Sequence, residues 1–263
     1  MKHVKKSLGQ NFLIDLNIIK KITETIDITD KNVLEIGPGK GALTDQILKK
    51  KPKSLLLVEK DNSLSTKLKL KHKNNKKVFV INEDILKFNL EKNLKDKTII
   101  FGNLPYNIAS QILVKIIRVK NCPSKYSCLV LMFQKEMADR IIGKHGTSKY
   151  GRLSILTNYK LKINKTFDVS AHCFFPKPKV KSTVISFQPK NTNLYKIKKV
   201  ENLEKITNII FSNKRKMINK NIKKIFSTKE ISYILKDLNL KARPSDLKPE
   251  SYFKLTQLYE RFN

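Results

Sequence analysis

Residues 33–44 read Val33-Leu-Glu-Ile-Gly-Pro-Gly-Lys-Gly-Ala-Leu-Thr44, and their pattern is the clearest indication of the fold. It begins with a short apolar run and continues through three alternating glycines into a helical pattern that places Leu43, Ile47 and Leu48 on one face. A strand, a glycine turn and a helix in this order predict the first unit of a parallel α/β sheet. Glycines at such a turn let the backbone bend tightly and approach a ligand closely. The G-x-G-x-G spacing differs from the G-x-G-x-x-G of dinucleotide-binding proteins.

Further apolar runs follow, and most of them are closed by an acidic or amide residue. These predicted strands are 54–58 before Glu59 and Asp61, 78–81 before Glu83 and Asp84, 98–101 before Asn103, and 128–132. Residues 108–119 have the pattern of a helix. Continuous apolar strands that alternate with helices predict a doubly wound, Rossmann-like parallel sheet covered on both faces. We expect a late strand at 183–187 to form the edge of this sheet.

The composition changes after residue 188. Turn-forming residues fill 188–193, and the pattern beyond them is helical. The apolar residues of the four predicted helices are Leu203, Ile206 and Ile210; Met217, Ile218, Ile222 and Ile225; Ile231, Ile234, Leu235 and Leu238; and Phe253, Leu255 and Leu258 after Pro249. We therefore predict a Rossmann-like catalytic domain over residues 1–188 and a small all-α C-terminal domain over residues 194–263.

The composition favours a polyanionic partner. Among 263 residues, 55 Lys and Arg face 22 Asp and Glu, which gives a net charge of +33. Only six of the basic residues are arginine, and lysine has A/T-rich codons, so the excess has a second explanation in base composition. The sequence shows no secretory signal and no apolar run of about 18 residues. Three irregularly spaced cysteines and four scattered histidines predict a reducing, cytoplasmic environment and no metal site.

Three acidic residues stand at or beside predicted strand ends, where ligands bind in such sheets. Glu35, just before the first glycine, disfavours a pyrophosphate and suits a ligand with an amino group. Glu59 can accept hydrogen bonds from both hydroxyls of a ribose, and Asp84 can accept one from an adenine amino group. This set describes S-adenosylmethionine better than a nicotinamide dinucleotide. The alternative is a glycine turn with a structural role only.

The segment Asn103-Leu-Pro-Tyr106 predicts chemistry on an exocyclic amine. The lone pair of such an amine is delocalised into the purine ring, so the amine is a poor nucleophile. The side-chain carbonyl of Asn103 and the backbone carbonyl of Leu104, in a turn stiffened by Pro105, can accept its N–H groups. Tyr106 can stack on the flipped base. Catalysis of methyl transfer then rests on positioning and electrostatics. The alternative is an ordinary turn with a buried tyrosine.

Together these segments resemble the ribosomal RNA adenine N6-dimethyltransferases, which modify two adjacent adenosines near the 3′ end of small-subunit rRNA. Four more motifs carry the resemblance in the order usual for that family: Leu8-Gly-Gln-Asn-Phe-Leu13, Met132-Phe-Gln-Lys-Glu-Met-Ala-Asp-Arg140, Tyr150-Gly-Arg-Leu-Ser154 and Phe174-Phe-Pro-Lys-Pro-Lys-Val180. The chain departs from the family pattern at Ala109, His145 and Lys181, where Ser, Pro and Asp are usual.

The resemblance implies a 16S rRNA (adenine-N6,N6)-dimethyltransferase, a monomeric cytoplasmic transferase that works in rRNA processing and ribosome biogenesis. Its substrate would be small-subunit (16S) rRNA within the pre-30S ribosomal subunit. Contacts with S-adenosyl-L-methionine would come from Asn11, Leu13, Gly37, Gly39, Glu59, Asp84 and Asn103. Catalytic roles would fall to Asn103, Leu104, Pro105, Tyr106 and Phe174, the last of which would stack on the second face of the target adenine.

Two clusters of basic residues are candidates for RNA binding. The larger one comprises Lys214, Arg215, Lys216, Lys220, Lys223 and Lys224. Helical spacing would place 216, 220, 223 and 224 on one face, where they could neutralise phosphates. Lys2, Lys5 and Lys6 form the second cluster. A solvated lysine-rich face is the alternative for the larger cluster.

Three other functions share part of this pattern. The large-subunit rRNA adenine methyltransferases that confer macrolide resistance share the cofactor motifs, but Leu104 and the tail segments 211–220 and 242–247 favour the small-subunit family. A non-catalytic RNA-binding or assembly factor would have no need of the intact 103–106 segment. A nicotinamide oxidoreductase is disfavoured by the glycine spacing.

Overall fold

The computed structural model describes residues 10–120, 122–190, 194–234 and 238–263. The predicted basic cluster at Lys2, Lys5 and Lys6, the first two residues of the N-terminal motif, and Leu235 lie outside these ranges. The chain divides into two compact units. The first unit contains Met1–Ala138 and Lys162–Pro189, and the second contains Asp139–Leu161 and Lys190–Asn263.

The first unit contains nine strands and six helices among the described residues, with β7 and α6 each crossing its boundary. The strands are β1 (Phe12–Leu13), β2 (Asn32–Ile36), β3 (Ser54–Glu59), β4 (Val78–Asn82), β5 (Thr98–Asn103), β6 (Tyr126–Gln134), β7 (Leu161–Val169), β8 (Phe174–Phe175) and β9 (Ser182–Pro189). The helices are α1 (Leu16–Thr23), α2 (Ala42–Lys49), α3 (Asn62–Lys71), α4 (Leu90–Asn93), α5 (Ala109–Ile117) and α6 (Lys135–Ile142). The strands and the helix that the sequence predicted in this part of the chain are confirmed.

Seven strands form one mixed sheet in the order β4-β3-β2-β5-β6-β9-β7. The pairs β2–β3, β3–β4, β2–β5 and β5–β6 are parallel, and β6–β9 is antiparallel. The chain builds the sheet outward from β2 to β4 and then returns to the other side of β2 with β5. The carboxyl ends of β2 and β5 therefore meet at a switch point, where Ile36 lies opposite Gly102. The Rossmann-like class is confirmed.

One prediction about the sheet was wrong. Residues Ser182–Pro189 are an inner strand, because β9 lies between β6 and β7. The strand at that edge of the sheet is β7, which the sequence did not reveal. Its sequence, Leu-Lys-Ile-Asn-Lys-Thr-Phe-Asp-Val, buries only its first and last residues and exposes most of the others. Such a polar segment lacks the continuous apolar run by which the inner strands were recognised.

The second unit is mainly helical. Its helices are α7 (Arg152–Lys160), α8 (Val200–Phe211), α9 (Asn219–Ile222), α10 (Thr228–Ile234) and α11 (Pro249–Phe262). Three aromatic rings pack together in it. The centroid of the Phe253 ring lies 5.2 Å from that of Tyr159 and 5.5 Å from that of Tyr195. These contacts explain why the structure groups Asp139–Leu161 with the tail, whereas the sequence placed residues 139–161 in the first domain.

The helix predicted around Met217–Ile225 is much shorter in the structure. Only Asn219–Ile222 is helical, and turns flank it on both sides. Ile218, Asn221 and Ile222 are buried, and the Asn221 side chain donates a hydrogen bond to the carbonyl of Ile210 over 2.9 Å. The expected single helical face over 216–224 is therefore wrong, because one helical turn cannot align residues that far apart.

Candidate active site

A cavity of about 390 Å³ opens at the carboxyl ends of β2 to β5 in the first unit. It lies at the switch point of the sheet, where ligands bind in open α/β folds. Ten of the residues selected from the sequence line it: Asn11, Leu13, Gly37, Gly39, Glu59, Asp84, Asn103, Leu104, Pro105 and Tyr106. The structure thus brings together residues that are separated by up to 95 positions in the chain.

The glycine loop forms the floor of this cavity. Gly37 has a φ of +65° and Gly39 a φ of +58°, values that favour glycine. A Cβ at Gly39 would come within 3.0 Å of the Phe12 ring, whereas a Cβ at Gly37 would have no protein atom within 4 Å. The loop is therefore closely packed at Gly39 and open at Gly37, where a ligand can approach the backbone.

Both carboxylate oxygens of Glu59, at the end of β3, accept hydrogen bonds from the backbone. One of its oxygens accepts from the Gly39 N–H at 3.0 Å, and the other accepts from the Asp61 N–H at 2.8 Å. Burial raises the pKa of Glu59, and these two hydrogen bonds oppose that rise. A carboxylate offers about four acceptor positions, so roughly two remain for the hydroxyls of a ribose.

Glu35 lies deeper in the same floor. Its side chain is 2% exposed and accepts a hydrogen bond from the Thr44 hydroxyl at 2.6 Å. Burial raises the pKa of Glu35 to about 8, against the opposing effect of the Thr44 hydrogen bond. A cationic amino group that enters the cavity would favour the ionised form of Glu35 and lower its pKa, and the resulting carboxylate could accept a hydrogen bond from that amino group.

Asp84 follows β4 and has a different environment. One carboxylate oxygen lies 2.8 Å from Lys60 Nζ, and the other accepts from the Leu86 N–H at 2.9 Å. Burial favours the neutral form, but the hydrogen bonds from Lys60 and Leu86 outweigh it and lower the pKa of Asp84. Asp84 is therefore a fixed carboxylate at the cavity wall, suited to accept from an adenine amino group.

Asn103 ends β5, and its amide is held in a defined orientation. The side-chain Nδ2 donates to the backbone carbonyl of Asn11 at 3.0 Å. That contact leaves Oδ1 as the free acceptor of this side chain, because no described residue donates to it. The following Leu104 is 1% exposed, and Pro105 accepts from the Ile108 N–H in the turn that leads into α5. Burial of Leu104 and the turn at Pro105 therefore fix the backbone that carries the two proposed acceptors, which are Asn103 Oδ1 and the Leu104 carbonyl.

Tyr106 is anchored by a residue that the sequence analysis missed. Its hydroxyl lies 2.7 Å from the hydroxyl of Ser182, which is 0% exposed at the start of β9. Burial raises the pKa of Tyr106, and the Ser182 contact partly opposes this. The signal in the sequence was only a serine before an apolar run. The 76 residues between the partners make their pairing visible only in the fold.

Phe174 does not reach the cavity. It is 3% exposed, belongs to the buried core with Leu13, and is absent from the cavity lining. Its ring faces inward because β8 pairs with β1 so that Phe174 lies opposite Leu13. The neighbouring Phe175 is 54% exposed. The stacking role predicted for Phe174 has no support in this conformation.

The predicted RNA-binding residues lie in the second unit, and they differ in environment. Lys214 Nζ donates to the carbonyls of Ser148 and Tyr150 at 2.7 and 2.8 Å, so it fixes the chain around residues 148–150. All six residues of the cluster are exposed, and the other five are Arg215, Lys216, Lys220, Lys223 and Lys224. Lys214 differs from them in that its ammonium group is bonded to two backbone carbonyls of the protein.

The donor set fits S-adenosylmethionine. Glu59 retains acceptor capacity for ribose hydroxyls, Asp84 is a carboxylate at the wall, and the open side of Gly37 admits a ligand close to the backbone. Over the described ranges, no group of three or more His, Cys, Asp or Glu side chains could hold a metal ion. In the same ranges, none of the helices combines the length and apolar character needed to cross a membrane.

The fold and the chemistry of the cavity together define the class: an S-adenosylmethionine-dependent methyltransferase of the Rossmann-like type. Comparisons with known proteins make this more specific. A family model described as Ribosomal RNA adenine dimethylase matches residues 1–261. The chain is 50% identical over 258 residues to the Ribosomal RNA small subunit methyltransferase A of Pelagibacter ubique (strain HTCC1062), with 97% of each chain covered.

Solved structures agree. A dimethyladenosine transferase from Plasmodium falciparum superposes with a TM-score of 0.80 at 26% identity, covering 95% of this chain and 98% of that one. The 23S rRNA methyltransferase ErmE superposes with a TM-score of 0.70 at 22% identity, covering 95% and 100%, and at this identity the likeness concerns the fold alone. The chain belongs to the ribosomal RNA adenine dimethylase family. The predicted resemblance, the enzyme class and S-adenosylmethionine as methyl donor are confirmed.

Proposed function

We propose that the protein dimethylates the N6 amino groups of two adjacent adenosines near the 3′ end of small-subunit (16S) rRNA. It acts on the pre-30S ribosomal subunit, as a monomer in the cytoplasm, and takes part in ribosome biogenesis. The observation that carries the proposal is the orientation of Asn103: its Nδ2 is held by the Asn11 carbonyl, so Oδ1 remains for the substrate. The identity to the small-subunit methyltransferase A of Pelagibacter ubique supports the choice of rRNA.

The residues of the 103–106 segment act on the target amine. Asn103 Oδ1 and the Leu104 carbonyl accept its two N–H groups, which turns the nitrogen lone pair away from the purine ring. The Tyr106 ring stacks on the adenine, and Ser182 holds the Tyr106 hydroxyl in place at 2.7 Å. Rate acceleration then comes from orientation and from acceptors placed in advance, and no strong base is required.

The cavity floor holds the methyl donor. When bound, S-adenosylmethionine supplies a methyl group on a sulfonium, and the positive charge of the sulfonium is lost on transfer. Glu59 accepts hydrogen bonds from the ribose hydroxyls, Asp84 accepts from the adenine amino group, and Glu35 lies where it can accept from the amino group of the methionine part. Asn11, Leu13, Gly37 and Gly39 complete the walls.

The exposed basic residues of the second unit bind rRNA in this proposal. Arg215, Lys216, Lys220 and Lys223 are exposed and available to phosphates, whereas Lys214 supports them through its bonds to the 148–150 backbone. Each phosphate that is neutralised adds to the salt dependence of binding. The first unit would carry the chemistry and the second would contribute affinity.

The experiment compares incorporation of labelled methyl groups into unmethylated small and large ribosomal subunits. The proposal predicts transfer to small subunits only, at two adjacent adenosines and to the N6 position. Transfer to large subunits instead would assign the protein to the macrolide-resistance type. Asn103→Ala is expected to abolish transfer, and incorporation equal to that of the wild type would refute the proposed mechanism.

A further inference from the structure

One exposed segment beside the cavity has no role in the chemistry described so far. It consists of Phe175-Pro-Lys-Pro-Lys-Val-Lys181, here called the strip. At its first residue, Phe175 pairs with Phe12 of β1, and Phe12 lines the cavity. Immediately after its last residue, Ser182 contacts the Tyr106 hydroxyl. The strip therefore runs from one wall of the cavity to the side chain that is proposed to hold the target base.

Most side chains of the strip are exposed. Phe175 is 54% and Val180 44% exposed, and Lys177, Lys179 and Lys181 are exposed, whereas Pro176 is half-buried and Pro178 is buried. The backbone bends at Pro176 and again at 179–180. The strip thus presents one aromatic ring and three ammonium groups to solvent. The two prolines lack N–H groups, so the strip offers side chains rather than backbone donors there.

The charges around the strip favour an anionic partner. Within residues 175–181 there is no acidic residue. Lys177 Nζ contacts His172 Nε2 at 3.1 Å. Asp168 is an acidic neighbour of Lys181. A hydrogen bond from Thr183 is the main cause that lowers the pKa of the Asp168 carboxyl, and the positive charge of Lys181 also lowers this pKa. Three lysines against one partly exposed carboxylate leave a net positive surface at the cavity mouth.

We propose that the strip binds the single-stranded RNA on either side of the target adenosine, with Phe175 stacked on a neighbouring base and Lys177, Lys179 and Lys181 on successive phosphates. This inference rests on the proposed function and extends it to the substrate strand. A base that leaves its stack to enter the cavity exposes the face of its neighbour, which an aromatic ring can cover. An exposed aromatic ring beside a group of lysines combines base stacking with attraction to the phosphates, the two contributions by which proteins bind single strands.

Lys181 is the residue of the strip nearest to the chemistry. It directly precedes Ser182, and its carbonyl accepts from the Lys135 N–H at 2.9 Å, which fixes its backbone. Its ammonium group is therefore placed to reach the phosphate of the target nucleotide itself. The acid usual in the family at this position would repel that phosphate, so we assign this contact to this chain in particular.

The test replaces three lysines at once and measures how binding depends on salt. The variant Lys177→Gln/Lys179→Gln/Lys181→Gln is compared with a control triple that loses the same charge at the opposite, amino-terminal ends of the strands. The control positions are exposed lysines: Lys31, Lys49 and Lys53. The probe is the unmethylated small subunit.

Loss of three single-strand phosphate contacts is expected to reduce the slope of log affinity against log salt concentration by about 2. The control triple is expected to keep the wild-type slope. Affinity for S-adenosylmethionine, measured by calorimetry, should be equal in all three proteins and shows that the fold is intact. Equal slopes for the two triples would overturn the phosphate contacts.

Stacking is tested separately at Phe175. Phe175→Ala is expected to weaken binding to the small subunit roughly 5- to 100-fold, the range found when one base loses an aromatic partner. Phe175→Leu keeps an apolar side chain without an aromatic face and should weaken binding almost as much. Wild-type affinity in the leucine variant would overturn the stacking and indicate an apolar contact with protein instead.

Methyl transfer by the wild type, measured in parallel, separates the two proposals. If the wild type methylates small subunits and the strip variants bind like their controls, the strip does not bind RNA and the proposed function is still supported. If the wild type transfers no methyl group but the salt dependence of its binding changes in the strip variants, the strip does bind RNA and the proposed reaction is wrong.

Discussion

Glu35 offers a quantitative test of the cavity electrostatics. Its carboxyl group is 2% exposed and has the Thr44 hydroxyl as hydrogen-bond partner at 2.6 Å. Burial raises its pKa from 4.5 to about 8. Glu35→Gln keeps the volume and the carbonyl acceptor for Thr44 but cannot ionise. The substitution therefore imitates the protonated form of Glu35 at every pH.

The sign of the effect follows from proton linkage. The folded protein binds the Glu35 proton more tightly than the unfolded chain, so the stabilisation from this group is complete below about pH 4.5 and is lost as the pH rises through about 8. At about 1.4 kcal/mol per pH unit, that interval corresponds to roughly 5 kcal/mol of unfolding free energy. Because Glu35→Gln cannot ionise, the unfolding free energy of this variant does not fall by this amount as the pH rises.

The assay is urea-induced unfolding of wild type and Glu35→Gln at a series of pH values from 5 to 9. We expect the two proteins to be similar near pH 5 and the variant to be increasingly more stable above it, with most of the difference developed by pH 9. Thr44→Val removes the hydrogen bond that favours the carboxylate, so the pKa of Glu35 should rise further and the loss of stability should continue to higher pH. Parallel pH profiles for the wild type and Glu35→Gln would refute the reasoning.

Three further predictions concern other contacts. Tyr106→Phe and Ser182→Ala each leave one hydroxyl of a 2.7 Å pair without its partner, so each should cost about 1–3 kcal/mol of stability. The double variant should cost about 1 kcal/mol less than their sum, and additivity would argue against the contact. Glu59→Gln should weaken S-adenosylmethionine binding about 10- to 100-fold in calorimetry, because one charge-assisted hydrogen bond is lost. Lys220→Glu/Lys223→Glu should weaken binding to small subunits and flatten its salt dependence, and an unchanged slope would exclude both residues from phosphate contact.

The sequence predicts the central part of the sheet well because strands that are buried on both faces read as continuous apolar runs. This applies to β2, β3 and β5, in which nearly all residues are buried and most are apolar. It also predicts the acidic residues at their carboxyl ends, since parallel strands bring those ends to one edge. The ten cavity residues came from this rule and from the family motifs.

Other features depend on long-range pairing and were not visible in the sequence. The pattern of β7 is too polar to identify it as the edge strand. Ser182 contacts Tyr106 because β9 pairs antiparallel with β6, and this pairing brings the start of β9 to the segment that follows β5. Phe174 and Phe175 are adjacent and alike in the sequence, and only the register with β1 determines which ring is buried. Lys214 likewise looked like its basic neighbours until its two carbonyl partners were known.

In the proposed function, Asn103 is fixed by the Asn11 carbonyl and presents its oxygen to the N6 amine of two adjacent adenosines in small-subunit rRNA. Mass spectrometry of nucleosides from unmethylated small subunits, after incubation with S-adenosylmethionine and either wild type or Asn103→Ala, measures this role directly. We expect two N6,N6-dimethyladenosines per subunit with the wild type and none with the variant. Equal amounts of dimethyladenosine from both proteins, or methylation at another atom, would contradict the proposed role of Asn103.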